Sequence, residues 1–163
     1  MHDYVFKDWF FFILSIFLAM MLLVLPLPIY FQWLRPNWVL LVLLFWVLNA
    51  PMLMGPGWYW LIGLFQDLLQ ATPFGLHALS YALLAFFLTR LSFRLSAFPM
   101  WQQLLVLVIV SVLNSAITAL VSVLFGVTIN FALVLLPALT NCLIWPWLYW
   151  LMYSLWKRRL RVY

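Results

Sequence analysis

One acidic side chain lies inside a long apolar stretch of the sequence, and it is the strongest candidate for chemistry. Asp67 falls within the run GLFQDLLQATPFGLHAL, from Gly63 to Leu79. Because an ionisable group deep in an apolar segment is costly, it is a functional-site candidate by default. Three roles are open: movement of a proton or ion, pairing with a partner's cation or with Arg35 or His77, and a structural carboxyl that ties its helix to neighbouring helices. Structural or partner anchoring is favoured, since no second intramembrane acid is present for a relay.

The residues around Asp67 have helical spacing. Gly63, Asp67 and Gln70 follow one another at intervals of four and three, which places them on one face of a helix. Gly63 allows another helix to approach this face closely. The break that follows contains Thr72, Pro73 and Gly75. His77 stands just behind that break, where a histidine is more often a hydrogen-bonded structural group than a pH switch.

A stripe of small hydroxyl residues marks a later apolar segment. Its members are spaced by four, three and four residues: Ser111, Ser115, Thr118 and Ser122. Small faces let helix backbones approach, and their hydroxyl groups can form hydrogen bonds across the contact. Two interpretations are open, namely packing inside the bundle and docking of another membrane helix.

The last apolar segment carries one amide and one internal proline. Pro146 leaves the carbonyl group of Cys142 without its helical donor. Asn141 is placed to bond exposed backbone nearby or to bond a neighbouring helix. A kink is expected at this point.

Catalytic and metal-binding signatures are absent from the sequence. It has no Ser–His–Asp candidate set, no HExxH motif and no glycine-rich phosphate loop. Cys142 is the single cysteine, which excludes an internal disulfide and a cysteine metal cluster. His2 and His77 are too far apart in sequence to suggest a metal site. We therefore expect no catalytic residues, no metal, no cofactor and no enzyme activity.

The composition defines what must position these residues. The chain has 163 residues, of which 69% are hydrophobic and 7% charged. A soluble domain is nearer 45–50% apolar and about 25% charged. The chain is therefore interpreted as a polytopic membrane protein, with residues 1–163 forming a single integral membrane domain. Six spans of about 20 residues leave no room for a soluble domain.

Prolines and glycines divide the chain into six apolar segments. The predicted spans are residues 9–25, 38–54, 58–71, 76–91, 101–125 and 131–156. Because backbone groups in hydrocarbon must bond internally and the segments lack alternation, they are predicted to be helices. The predicted fold class is thus an all-α, six-helix transmembrane bundle. The third segment is short and contains Asp67, so five spans plus a re-entrant segment is the alternative.

The basic residues predict orientation but leave the number of spans open. With six spans, Lys7, Arg90, Arg94 and the basic tail share one side, opposite Arg35. With five spans, Arg35 joins that side and Lys7 is opposite. Both arrangements place the C-terminus in the cytoplasm. The tail contains Lys157, Arg158, Arg159 and Arg161. These flanking charges indicate topology and contact with anionic lipids, and they do not indicate nucleic-acid binding.

Three stretches together resemble the MreD family, small inner-membrane proteins of the bacterial rod-shape system. The first is Arg35-Pro36-Asn37-Trp38 with the apolar run up to Pro51, and the second is the block from Gly63 to Leu79. The third combines Trp101-Gln102-Gln103 with Asn141 and Trp145-Pro146-Trp147. The likeness extends over most of the chain. In this order and spacing, the first two motifs are fairly specific.

The resemblance implies a non-catalytic role in the bacterial inner membrane. Members of the family act with the bitopic protein MreC, the actin-like MreB, and the RodA and penicillin-binding protein 2 synthase pair. Together these proteins direct sidewall peptidoglycan synthesis and maintain a rod shape. The family is also similar in fold to the substrate-capturing subunits of energy-coupling-factor transporters, which implies six helices.

The resemblance transfers no catalytic residues. The motif positions that it marks as structural or partner-contact candidates are Arg35, Asn37, Gly63, Asp67, Gly75 and Asn141. The expected function is a membrane scaffold that binds an MreC-like partner. The alternative is a small-molecule-binding membrane subunit of a transporter, with its pocket near Asp67 and His77.

Overall fold

The computed structural model describes residues 2–26, 35–51, 55–95, 97–124, 126 and 136–160. These residues form six helices and no β-strand, which confirms the all-α prediction. The helices are α1 (His2–Val24), α2 (Trp38–Asn49), α3 (Pro56–Gln70), α4 (Leu76–Leu95), α5 (Met100–Leu124) and α6 (Leu136–Leu160). Parts of the predicted spans, at residues 52–54, 125 and 131–135, lie outside the described residues, as does Arg161.

The core is built around α2. All ten residues from Val39 to Leu48 are buried. A helix that is hydrophobic on every side has to be enclosed by other helices or by lipid. Here α1, α4 and α6 pack against it. Trp46 lies at the centre of this packing, where its indole nitrogen donates a 3.0 Å hydrogen bond to the hydroxyl group of Ser15.

Contacts near the helix ends define the directions in which the helices run. Trp9, early in α1, packs edge-on against Trp58 at the start of α3, with 5.2 Å between ring centroids. The indole nitrogen of Trp156, late in α6, donates to the carboxylate of Asp8 at 2.8 Å. Thus α1 and α3 begin at the end of the bundle where α6 finishes.

The opposite end is marked by the starts of the other helices. Asn37, immediately before α2, bonds Asn141 near the start of α6. It also bonds Tyr81, which lies early in α4. Hence α2, α4 and α6 run in the same direction, opposite to α1 and α3.

The tightest helix pair is α3 against α4. Gly63 is the point of closest approach, because a Cβ atom built on it would lie 2.5 Å from the backbone nitrogen of Ala78 and 2.7 Å from the carbonyl carbon of His77. Real Cβ contacts are not this short, so a larger residue would force the two backbones apart. The sequence predicts that another helix approaches closely at Gly63, and in the structure the helix at this position is α4.

The outer surface of the bundle is strongly apolar. Leu124, Leu143 and Trp147 are 77%, 78% and 80% exposed. An exposed apolar surface of this extent is that of a membrane protein rather than of a soluble domain. Among the described residues, Met100–Leu124 is the one helix both long and apolar enough to cross a bilayer. The number of spans therefore stays a prediction.

We predict that Gly63→Ala lowers the free energy of unfolding by about 1–3 kcal/mol, because its methyl group overpacks the α3–α4 contact. Gly57→Ala is the matched control on the same helix, since nothing lies within 4 Å of a Cβ atom there. It should change stability by no more than about 1 kcal/mol. Thermal unfolding of both variants in detergent measures the difference, and equal melting temperatures would contradict the contact.

Candidate functional site

Asp67 lies in the last turn of α3, and its side chain is fully buried. A carboxylate in an apolar interior is tolerated only when hydrogen bonds and nearby positive charge replace its lost hydration. The groups that satisfy Asp67 therefore define the site. They come from the chain reversal between α3 and α4 and from the first turn of α4.

The carboxylate of Asp67 accepts hydrogen bonds at both oxygens. Its Oδ1 accepts from the hydroxyl group of Thr72 and from the backbone N–H of His77, each at 3.0 Å. Its Oδ2 accepts from the backbone N–H of Gly75 at 3.0 Å and of Ala78 at 3.4 Å. These N–H groups are at the start of α4, where backbone donors lack helical partners. Asp67 thus caps α4 from another helix, and the helix dipole stabilises its negative charge.

His77 completes the set of donors. Its Nδ1 atom lies 2.8 Å from Oδ1 of Asp67. Because an ionised carboxylate can only accept, this contact requires the tautomer with a proton on Nδ1. The side chain is 12% exposed, and the ring packs at 5.9 Å against that of Tyr81. Of the two side chains in this chain that the sequence left open as partners for Asp67, the structure brings His77 to it. Arg35 instead donates to the carbonyl oxygen of Leu25.

The chain reversal needs two residues in the left-handed backbone region. Ala71 ends α3 with φ of +51°, and Gly75 has φ of +94°. Glycine adopts this conformation without the Cβ penalty that other residues meet. Gly75 therefore combines a conformational role with its hydrogen bond to Asp67. The predicted helix break falls at this reversal.

A second polar cluster lies beside the first. The phenol oxygen of Tyr81 is 3.0 Å from Oδ1 of Asn37 and 2.7 Å from the side-chain oxygen of Gln66. Tyr81 and Gln66 are both buried. The Gln66 amide also contacts that of Gln70 at 3.3 Å. Tyr81 therefore joins α3, α4 and the start of α2.

Asn37 and Asn141 extend this cluster across the bundle. Asn37 is the N-cap of α2, because its side chain accepts from the backbone N–H of Leu40 at 3.2 Å. The backbone N–H of Asn37 donates to Oδ1 of Asn141 at 2.9 Å. The amide nitrogen of Asn141 in turn donates to the hydroxyl group of Ser111 at 3.0 Å. Five helices are thereby connected through side-chain hydrogen bonds.

The small-residue stripe of α5 divides into two parts. Ser111 is buried and bonded to Asn141, whereas Ser115, Thr118 and Ser122 are half-buried. The hydroxyl group of Thr118 donates to the carbonyl oxygen of Ser115, and that of Ser122 to the carbonyl oxygen of Thr118. These two hydroxyl groups are satisfied by their own helix.

Two side chains of the clusters did not emerge from sequence reasoning. They are Gln66 and Tyr81; a separate buried pair, in which Ser80 donates to Asn114 at 2.6 Å, was not predicted either. Tyr81 could have been found, because it follows His77 by four residues and shares its helical face. Gln70, which is expected on the same helical face as Gly63 and Asp67, is exposed, and its side-chain oxygen accepts from the amide of Gln66. Gln70 is the last residue of α3, where the chain already turns away.

The geometry favours structural capping over catalysis. The oxygens of Asp67 are engaged by backbone and side-chain donors, and the phenol of Tyr81 contacts two amides. No group of three or more His, Cys, Asp or Glu residues that could hold a metal occurs in the part of the chain that the structure describes. The arrangement holds helix ends together.

Comparison with known proteins places the chain in a family. The family model of the rod shape-determining protein MreD matches residues 5–155. The chain belongs to the MreD family. It is 30% identical over 156 residues to the rod shape-determining protein MreD of Haemophilus influenzae (strain ATCC 51907 / DSM 11121 / KW20 / Rd), covering 96% of both chains. Membership in the MreD family indicates a role in rod-shape determination.

No solved structure matches this MreD-family chain. The expected similarity to energy-coupling-factor subunits therefore stays a prediction. Four of the six family-motif positions belong to the Asp67 and Tyr81 clusters, namely Asn37, Asp67, Gly75 and Asn141. Of the other two, Gly63 packs beside the clusters and Arg35 lies near the end of α1.

Replacing Asp67 tests whether the carboxylate acts as a cap. We expect Asp67→Ala to destabilise the protein by at least about 3 kcal/mol, because several buried donors lose a charged acceptor. Asp67→Asn should have a smaller effect, since one acceptor oxygen remains. Thermal unfolding in detergent provides the measurement.

Asp8→Asn is the control for that series, because Asp8 makes a half-buried bond to Trp156. Its cost should be about 1 kcal/mol. If Asp67→Asn proves no more destabilising than Asp8→Asn and still abolishes the cellular function, the carboxylate serves a partner or ligand instead.

Tyr81→Phe should cost about 1–3 kcal/mol, because it leaves the buried amide of Gln66 and the half-buried amide of Asn37 without the phenol. Tyr153→Phe is the matched control, since the hydroxyl group of Tyr153 makes no hydrogen bond within the described residues. Chemical unfolding curves of the two variants give the comparison. Equal midpoints would show that the phenol bonds contribute nothing to stability.

Proposed function

We propose that this chain is a non-catalytic scaffold of the bacterial inner membrane that binds the transmembrane helix of an MreC-like bitopic protein. One observation carries the proposal: the polar side chains bond one another inside the bundle, while the outer surface is apolar. What remains available to other molecules is helix surface within the bilayer. Such surface recognises other membrane helices through packing.

The same observation favours a scaffold over a transporter subunit. A small-molecule pocket at Asp67 and His77 would need polar groups free to meet a ligand. The Asp67 oxygens are instead occupied by Thr72, Gly75, His77 and Ala78. The MreD family membership supports the same choice.

We further propose that the chain crosses the membrane six times, with its C-terminus in the cytoplasm. The opposed directions of α1 and α3 relative to α2, α4 and α6 support six traversing segments over a re-entrant third one. In this arrangement Arg90, Arg94 and the basic end of α6 share the cytoplasmic side. That distribution agrees with the tendency of basic residues to remain inside.

In the larger assembly, we propose association with MreB, RodA and penicillin-binding protein 2. Within it, the scaffold would support sidewall peptidoglycan synthesis and cell shape. This step rests on family membership and on the basic tail. In the proposed topology that tail lies in the cytoplasm, on the same side of the membrane as MreB. Contact with anionic lipids at the same tail would keep the C-terminal end at the membrane surface.

The C-terminal three residues of the α5 stripe are the proposed contact for the partner helix. Ser115, Thr118 and Ser122 are small and half-buried, so a neighbouring backbone can approach them closely. The hydroxyl groups of Thr118 and Ser122 already bond their own helix. The contact therefore requires no polar group from the partner.

Co-purification tests the scaffold function. The full chain, isolated from membranes in a mild detergent, should recover an MreC homologue at a level well above that of an unrelated polytopic protein. Failure to recover either an MreC homologue or the synthase pair, while a known membrane complex survives the same extraction, would contradict the proposal.

Bulky substitutions test the contact face. Ser115→Leu and Thr118→Leu should each reduce recovery of the partner and distort cell shape, because the added side chain blocks close approach. Ala116→Leu is the control, as it adds similar bulk on the exposed side of α5. Normal recovery and shape in both stripe variants would remove this face as the binding surface.

A further inference from the structure

A groove runs between α1 and α3 on the surface of the bundle. It has a volume of about 470 Å³, and every described residue that lines it carries an apolar or aromatic side chain. Representative lining residues are Ile13, Phe17 and Met21 of α1 and Trp58, Phe65 and Leu69 of α3. The contact between Trp9 and Trp58 closes one end. Because the two helices run in the same direction, the other end lies beside Val24 and Leu69.

Arg35 lies at that second end. Its guanidinium group donates to the carbonyl oxygen of Leu25, the residue that follows Val24. The Nε–H group of Arg35 is buried and makes no hydrogen bond to any described residue. That buried group is closed to an outside ligand, but the side chain as a whole is half-buried, so its positive charge can attract an anion. Guanidinium groups match the geometry of phosphate oxygens closely.

The charges of the described side chains point to the same end. Arg90 and Arg94 lie in the last turns of α4, and Lys157 and Arg158 lie in those of α6. These cations are at the opposite end of the bundle from Arg35. Among the described residues, Arg35 is therefore the cation at the end of the bundle where α1 and α3 finish.

We propose that the groove binds an acyl chain of an anionic phospholipid, whose phosphate accepts hydrogen bonds from Arg35. The apolar lining suits a hydrocarbon chain, and the volume falls in the range of about 300–1,000 Å³ that is typical of ligand sites. An acyl chain ending in a phosphate matches both the apolar lining of the groove and the positive charge of Arg35.

The site does not depend on the proposed partner. Under the six-span topology the bound headgroup lies in the outer leaflet, but groove and cation occupy the same end of the bundle whichever leaflet that is. Loss of lipid binding and loss of partner binding are consequently separate outcomes.

The charge on Arg35 is tested with the full chain in nanodiscs of phosphatidylcholine, with or without phosphatidylglycerol. Native mass spectrometry counts the lipid molecules that stay bound to the chain when it is released from the nanodisc. The wild-type chain should retain phosphatidylglycerol in preference to phosphatidylcholine. Arg35→Gln should weaken that retention about tenfold through loss of a charge-assisted bond. Arg35→Lys should lie between the two, because it keeps the charge without the bidentate fork.

Arg94→Gln is the matched control, since it removes an equal charge from an exposed position at the other end of the bundle. It should leave retention unchanged. An equal loss in Arg94→Gln and Arg35→Gln would overturn the proposal in favour of unspecific attraction. Unchanged retention in Arg35→Gln would overturn it as well.

The groove is tested separately by filling it. Met21→Trp should abolish preferential lipid retention, whereas Leu22→Trp, on the neighbouring position outside the groove, should not. This pair keeps the test decisive if Arg35→Gln does not fold. Retention by Met21→Trp equal to that by Leu22→Trp would contradict acyl-chain binding.

Two further measurements separate the lipid from other occupants. Inorganic phosphate should not raise the melting temperature as phosphatidylglycerol does, because it has no chain for the groove. Equal stabilisation by both would overturn the proposal. So would a dimer of the wild-type chain that Met21→Trp dissociates, since a second copy would then occupy the groove.

Discussion

A carboxylate buried among apolar helices has to be surrounded by donors, and this requirement organises the α3–α4 half of the molecule. Asp67 meets it with the hydroxyl group of Thr72, the ring of His77 and backbone N–H groups at the start of α4. The reversal through Gly75 must therefore fold back onto α3. Gly63 allows the required approach, because any side chain there would collide with Ala78.

The position of α4 then determines the second cluster. Tyr81 lies one turn beyond His77 and contacts Asn37 and Gln66, so the start of α2 is joined to the α3–α4 pair. Asn141 bonds Asn37 and links α6 to the same end. The bonded polar side chains thus lie inside the bundle beside a largely apolar core, and the outer surface is apolar as well. Recognition by this protein depends on its apolar helix surfaces and on the few charges at their ends.

Much of this fold could be predicted from local patterns. Prolines and glycines located the helix breaks, and the cost of burying Asp67 identified the residue on which the α3–α4 reversal depends. Local spacing was less informative at helix ends, where Gln70 is exposed although it follows Gly63 and Asp67 at helical intervals. Helical spacing shows which residues share a face, but packing against a neighbouring helix decides which of them are buried. The N-cap role of Asn37 was not predicted, although asparagine before an apolar run is a common helix start.

Composition and motif order are sufficient to assign a helical membrane protein of the MreD family, with Asp67 in need of partners. Which groups would satisfy that carboxylate, and which residues would join the helices, depended on packing. Asn37 and Asn141 are 104 positions apart in the chain, and Ser111 and Asn141 are 30 apart. Such pairs leave no local signal, because the distance between them is defined by how the helices pack. The groove beside Arg35 arises in the same way, from two helices that meet at Trp9 and Trp58 and leave space between them beyond that contact.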